Sequence, residues 1–433
     1  MAEHAYDVVV AGAGFAGAAA AYVLAQAGLD VAILEGRARA GGRAFTRPFA
    51  GTSTRAEFGG SWIAPWHHRI RHYVGLSEFR LRPTEAVHGR RWHDGERLLS
   101  DGPAAPDDMD AYETGLARVR ADVRSLATGH KKDQFGLPLV DVSMSGYLHR
   151  IGASLPLRAQ LLAWWCISGN GNPGRVSAAE FLSSCAHGNG TPEGMMESLG
   201  HTIEPGAQDL VESIIGLSGA TLLCNAPVED LRQFRSDVLV GCGNGEKYRA
   251  RAAIIALPLN ALKTVRFAPS LERRKMQAIG LGHGGRAFKL WIEVRGVELG
   301  MLATGGLSGL QWVFAERESE SGTVLLVGFG LFDGHFDPGS ARDVEKGVRQ
   351  FFPEAEILRS DWHDWVGDPF SRGTWLALPA DAAWIGDAAE WQSEGRVYHA
   401  SADFAPGMPG WFESAIESGE AAARQLLLQF AGA

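Results

Sequence analysis

Asp7-Val-Val-Val-Ala-Gly12-Ala-Gly14-Phe15-Ala16-Gly17 and, a helix-length later, Asp30-Val-Ala-Ile-Leu-Glu35 decide how this chain begins to fold. The first run is a short apolar strand breaking into GxGxxG, and Phe15 to Gln26 is a small-residue, helix-forming stretch. Asp30 to Leu34 is a second strand. Gly12 permits a tight turn, Gly14 lets backbone approach a pyrophosphate, and Gly17 lets helix and strand pack closely. The helix start then offers free N–H groups and partial positive charge to phosphate. Glu35 ends the second strand 21 residues after Gly14, where an acid accepts from a ribose hydroxyl. A lone GxGxxG is weak, and its alternative is a glycine-rich turn between core strands. Strand, glycines, helix, strand and acid together select a dinucleotide-binding βαβ unit and an α/β fold.

Around that unit, 433 residues exceed one ordinary core, so two or three interleaved domains are expected. Hydrophobic residues at 45% and charged residues at 21% match a globular enzyme. The net charge is −9 and no Lys/Arg-rich run occurs, the densest basic cluster being Arg69, Arg71 and His72, which excludes a nucleic-acid partner. Cys166, Cys185, Cys224 and Cys242 are widely spaced and read as free thiols of a reducing compartment. His68 and His72 have helical spacing but lack the glutamate of HExxH, so no metal site is expected. No GxSxG elbow occurs. The N-terminal stretch lacks a secretory pattern, and the apolar run near Leu426 is too short to span a bilayer. A cytoplasmic, membrane-free protein is the expectation, and a homodimer stays open.

Residues from about Pro103 to Cys185 read as mostly helical, and strand signals return at Thr221, Val238, Ala252, Arg286, Gln311 and Thr323. Asp381 to Asp387 reads as a late strand and Trp411 to Gln429 as a closing helix. No linker or repeat is visible, so a domain that the chain leaves and re-enters is expected. The division is a Rossmann-like domain from 1–80, 195–285 and 376–433. A substrate domain of antiparallel sheet plus helices takes 81–194 and 286–375.

After Glu35 come Gly36, Arg37 and then Gly41-Gly42-Arg43, a second turn that a simple nicotinamide fold does not require. Here the chain resembles the flavin-containing amine oxidase family, which implies FAD with Arg37 and Arg43 along it. The resemblance continues in Glu57-Phe-Gly59-Gly60-Ser61-Trp62, in Ala226-Pro-Val228, and in Gly386-Asp387 with Gly410-Trp411-Phe412-Glu413-Ser-Ala415. It runs from residue 7 to about 428. Around Lys289 and Trp365 the wording is most similar to bacterial 6-hydroxynicotine oxidases.

Lys289 lies in the mostly apolar Arg286-Ala-Phe-Lys-Leu-Trp-Ile, where a lysine is costly without a partner. It is either an edge lysine or, as the resemblance implies, the lysine linked through water to flavin N5. Trp375 and Trp411 match the family's paired aromatics, whose electron-rich faces suit an amine nitrogen. Thr374 stands where monoamine oxidases carry a flavin-linked cysteine, which implies non-covalent FAD. Trp312 and Ile167 stand near positions where 6-hydroxynicotine oxidase has tyrosine and asparagine, which argues against that substrate. Glu57 is a carboxylate near the flavin segment, either a base or, preferably, a structural anchor. Ala388 to Pro409 reads as an insertion, either a lid or interface or a surface loop.

The expected reaction is amine oxidation: a hydride equivalent passes from the α-carbon to flavin N5, an imine forms, and O2 returns the electrons as peroxide. The competing expectation is a biosynthetic flavin oxidase, cyclase or desaturase whose imine is trapped intramolecularly.

Overall fold

A computed structural model describes residues 3–130, 132–133, 136–139, 141–319, 321–405 and 409–432. Strand Glu3–Ala11 runs through Gly12 into helix Phe15–Gln26 and returns as strand Val31–Leu34. Val8–Ala11 and Val31–Leu34 pair in parallel, residue for residue. Both strands are buried on both faces, which explains their continuous apolar runs rather than alternation.

This unit seeds an eight-stranded sheet drawn from distant parts of the chain. Its order is Thr221–Leu223, Val31–Leu34, Glu3–Ala11, Lys247–Ile255, Val238–Cys242, Val228–Gln233 and Arg266–Ala268. Val397–His399 adds in parallel beside Lys247–Ile255. Helices Phe15–Gln26, Ala207–Ser218 and Phe412–Ala431 cover one face with an alanine-rich core.

The second sheet has seven strands in the order Glu356–Trp362, Ala287–Arg295, Val324–Leu331, Leu310–Glu318, Met301–Gly305, Gly89–His93 and Leu98–Leu99. It is antiparallel except where Gly89–His93 meets Met301–Gly305. Helix Ala341–Arg349 packs on one face and the Leu155–Ser168 helix on the other. Lys289 therefore sits on a strand buried on both sides.

The late strand is placed differently from the sequence expectation. Ala380–Gly386 is a 3-10 turn, and the strand is Val397–His399. Ala388 to Pro409, expected as a lid, interface or surface loop, carries the strand that completes the first sheet, while 406–408 lie outside the described residues. Period and composition could not separate the two, because Ala-Ala-Trp-Ile and Val-Tyr-His are both short apolar runs.

Helices Phe15–Gln26 and Phe412–Ala431 approach until a Cβ on Gly419 would stand 2.0 Å from the Ala16 carbonyl oxygen. Gly419→Ala gains helix propensity of about 1 kcal/mol, but the overpacking costs about 1–3 kcal/mol and forces the helices apart. The expected outcome is a lowered thermal midpoint with weakened flavin retention, read by thermal unfolding of the purified protein. An unchanged or raised midpoint would show that this contact yields freely.

Candidate active site

At one end of a cavity of about 550 Å³ lies the glycine turn. Gly12 has φ +104°, and a Cβ there would stand 2.6 Å from the Ala256 carbonyl oxygen. Gly14 caps helix Phe15–Gln26 in extended conformation, with no side-chain cap and no acid in the first turn. The first-turn N–H groups with their dipole therefore face the cavity, lined by Gly14, Phe15 and Ala16. Gly17 does not line it. A Cβ there would come 2.0 Å from the Gly12 carbonyl oxygen, so its part is close packing.

A second turn closes over the first. A Cβ on Gly42, at φ +58°, would approach Gly14 Cα to 3.2 Å. Arg39 stitches this turn, donating to the Ala40, Gly42 and Ala44 carbonyls at 3.0, 3.2 and 3.1 Å. Glu35 accepts from Ala13 N at 3.0 Å and Arg37 N at 2.9 Å, so its carboxylate holds both flanking loops as well as facing the cavity. Gly36 also lines the cavity, with Phe370 against its Cα.

Arg37 pairs with Asp368 at 2.6 Å and donates to Ser371 Oγ at 2.8 Å. Burial works to raise the Asp368 carboxyl, but the His363 hydrogen bond and the Arg37 charge hold it down at about 2. Trp365 lines the cavity and donates its indole N–H to the Phe58 carbonyl at 2.9 Å. Arg43 donates to the Thr374 carbonyl at 2.7 Å and to the buried Asp403 carboxylate at 2.8 Å. Val228 lines the cavity beside Pro227 and Glu229.

The other end is built round Lys289. Gly59 and Gly60 are required by contact: a Cβ on one would meet the Arg43 carbonyl oxygen at 1.9 Å, on the other the Phe412 ring at 2.4 Å. Lys289 Nζ donates to the Gly59 carbonyl at 3.1 Å and to Ser61 Oγ. The rings of Trp62, Trp291 and Phe329 surround it at 5.2, 5.4 and 5.9 Å. Burial pulls its pKa down to about 8, against the Glu316 and Glu57 charges that raise it.

Trp375 and Trp411 line the cavity together with Ile167, Ser168, Leu199 and Phe329. Trp375 is fixed by its indole N–H on the Ser168 carbonyl at 3.0 Å. Asn170, buried at φ +45°, donates to the Trp375 and Leu376 carbonyls at 3.0 and 3.2 Å and accepts from Thr374 Oγ1. Trp411 sits where helix Phe412–Ala431 begins, with the His67 ring edge-on at 5.3 Å and Gly410, Phe412 and Ala415 also in the wall.

Several expected site residues lie elsewhere. Glu57 is fully buried and does not reach the cavity; it accepts from Ala207 N and Thr46 Oγ1, both at 2.9 Å. It anchors the start of helix Ala207–Ser218, where the helix dipole favours a carboxylate, so the base alternative falls. Trp312 stands behind the wall, edge-on to Trp62 at 6.0 Å, and Phe329 takes the lining position. Gly386 packs beside Leu376 and Leu378, and Asp387 caps Ala389 N. Ser401 and Ala402 line the cavity instead, and Asp403 holds its floor. These three carry no glycine signature, and only the Val397–His399 strand before them marks the place.

The family model described as flavin containing amine oxidoreductase matches residues 15–427. The chain belongs to that family. It is 29% identical to (S)-6-hydroxynicotine oxidase of Paenarthrobacter nicotinovorans, over 98% of this chain and 99% of the relative. It is 28% identical to pseudooxynicotine dehydrogenase of a Pseudomonas species, over 96% and 84%. Putrescine oxidase bound to putrescine has the same fold at TM-score 0.85 and 19% identity, covering 99% and 100% of the two chains. Membership gives this amine oxidoreductase a flavin cofactor, and the cavity fits one. Uncapped helix N–H groups, closely packed glycine turns that line it, and an acid between two loops all converge on it.

Glu35→Ala removes an acceptor worth about 1.5–3 kcal/mol, hence roughly a tenfold or larger loss of flavin affinity. The expected outcome is low flavin content in a folded protein, checked by absorbance per polypeptide with circular dichroism alongside. Because Glu35 also holds the Ala13 and Arg37 loops, some loss of thermal stability accompanies it.

Proposed function

We propose that this amine oxidoreductase binds FAD non-covalently and oxidises a small amine to an imine, with O2 as electron acceptor and peroxide as co-product. One observation carries this reading. A single cavity runs from the Gly12–Gly14 turn and Glu35, past Lys289, to Trp375 and Trp411. Flavin, when bound, takes a hydride equivalent from the carbon beside the amine nitrogen and passes the electrons to oxygen.

Gly14, Phe15 and Ala16 would hold the pyrophosphate, Glu35 a ribose, Val228 the adenine end, and Gly59, Gly60 and Ser61 the ring. Trp375 and Trp411 exclude water from the reacting end, and a desolvated site disfavours an ammonium ion, which favours the neutral amine. Lys289 holds or gives a proton at Nζ beside Gly59 and Ser61 and supplies positive charge where charge develops. Thr374 cannot make a thioether, and its hydroxyl is engaged by Asn170. Ile167 and the withdrawn Trp312 offer no hydrogen bond to a hydroxypyridine, so 6-hydroxynicotine is not the proposed substrate. The segments 1–80, 195–285 and 376–433 form the proposed FAD-binding domain, and 81–194 with 286–375 the substrate domain.

Aerobic peroxide release across primary, secondary and cyclic amines tests the reading, and silence across all classes would end it. Denaturation followed by filtration is expected to release all the flavin, and colour left on the polypeptide would overturn the non-covalent assignment. Lys289→Met keeps an apolar stem and removes the ammonium. Loss of such stabilisation is typically about a hundredfold in rate, so stopped-flow reoxidation of the reduced variant is expected to slow by that order. In the parent the ammonium fraction falls as pH rises through about 8, so reoxidation slows across that range. The variant's profile is expected to be flat there.

A further inference from the structure

Three carboxylates line the cavity: Glu35, Glu229 and Glu180. Glu35 is committed to the Ala13 and Arg37 N–H groups, and Glu229 lies beside Val228. Glu180 lies at the opposite end. It belongs to helix Ala179–His187, whose Phe181, Leu182 and Cys185 pack into the core while Glu180 and Ser184, one turn apart, face the cavity. The turn before this helix is docked on the segment that carries Trp375, with Ser177 N donating to the Leu378 carbonyl at 3.1 Å.

The Glu180 carboxyl has little to hold it. One oxygen accepts from Leu378 N at a long 3.4 Å, and among the described residues the other makes no hydrogen bond and no cation pairs with the carboxyl. Burial pushes its pKa up to about 7, against that one backbone hydrogen bond. Lys289, a cation of the same wall, is turned to Gly59 and Ser61. A carboxyl in this setting costs free energy unless a partner arrives from outside the protein.

We propose that Glu180 is a specificity-determining residue that accepts a hydrogen bond from a second, basic nitrogen of the substrate. This rests on the amine-oxidation reading and narrows it: the preferred substrates are diamines. Their reacting nitrogen enters between Trp375 and Trp411, an apolar spacer lies along Ile167 and Leu199, and the distal nitrogen reaches Glu180 and Ser184. Ser184 Oγ donates to the Glu180 carbonyl at 2.8 Å, which leaves its lone pairs for the same nitrogen.

The test compares straight-chain α,ω-diaminoalkanes with monoaminoalkanes of equal carbon number, from butane to octane, by peroxide release from the flavin-bound protein. The parent is expected to favour the diamine at one length by about tenfold or more in kcat/KM, and Glu180→Gln to remove that ratio, chiefly through KM. Glu180→Asp keeps the charge on a shorter arm, so the preferred diamine lengthens. That variant carries the test should Glu180→Gln not fold. A diamine preference that survives Glu180→Gln, or a length optimum that Glu180→Asp leaves in place, overturns the proposal. Oxidation of monoamines with no diamine preference at any length also overturns it, and leaves amine oxidation standing. No peroxide from any amine, with no flavin bleaching under anaerobic conditions, brings down the underlying reading as well.

Discussion

The buried Asp403 carboxylate is the point on which the discontinuous parts of this chain depend. It accepts from Leu259 N at 2.9 Å and from Arg43 at 2.8 Å, and Arg43 in turn donates to the Thr374 carbonyl at 2.7 Å. Four remote segments are thereby fixed to one another beneath the cavity. Burial alone would raise this carboxyl, yet Arg43, His283 and the backbone donor outweigh it and hold it below the usual carboxylate range. Such a pair contributes little net stability against an apolar equivalent, but removing one member strands a charge and is strongly destabilising. Its value here is positional. It sets the Trp375 segment relative to the turn after Arg43, and hence the walls of the reacting end relative to the cofactor path.

The same logic explains why Lys289 can sit inside a sheet. Its strand is buried on both faces, so a side chain there reaches only the cavity. The Gly59 carbonyl and Ser61 hydroxyl accept from its amine, and three aromatic rings supply quadrupole attraction without competing for the proton. Glu57 and Glu316 lie close enough to temper the desolvation that lowers its pKa. An amine so placed exchanges protons near neutrality, which a surface lysine does not.

What the sequence made legible follows the range of each interaction. The first βαβ unit was readable because its strand, glycines, helix and acid interact within one short span. Lys289, Trp375 and Trp411 came through resemblance, since an apolar strand or a single tryptophan specifies nothing alone. The preferred anchoring role of Glu57 was legible but not its partner, because Ala207 N is a helix start brought in by tertiary folding. Asn170 was missed for a related reason: its bonds to Thr374, Trp375 and Leu376 cross about two hundred residues. Gly386-Asp387 was matched through resemblance, whereas the residues that line the cavity near there are Ser401 and Ala402. Here small side chains after a short parallel strand do that task.

Charge is divided unevenly along the cavity, and the division bears on selectivity. Its cations are Arg37, Arg43, Lys289 and Arg372. Arg37 is paired with Asp368, Arg43 with Asp403, Lys289 with Gly59 and Ser61, and exposed Arg372 with the Pro369 carbonyl. Arg37 and Arg43 are spent on carboxylates and Lys289 is turned to two neutral acceptors, while one carboxyl at the reacting end has a single long hydrogen bond among the described residues. An α-amino acid would bury an uncompensated anion beside Trp375, at a cost of several kcal/mol after relaxation. A neutral amine meets no such cost. A preference for amines over amino acids would then need no dedicated repulsive group, since the Arg37 and Arg43 charges of the wall already hold Asp368 and Asp403.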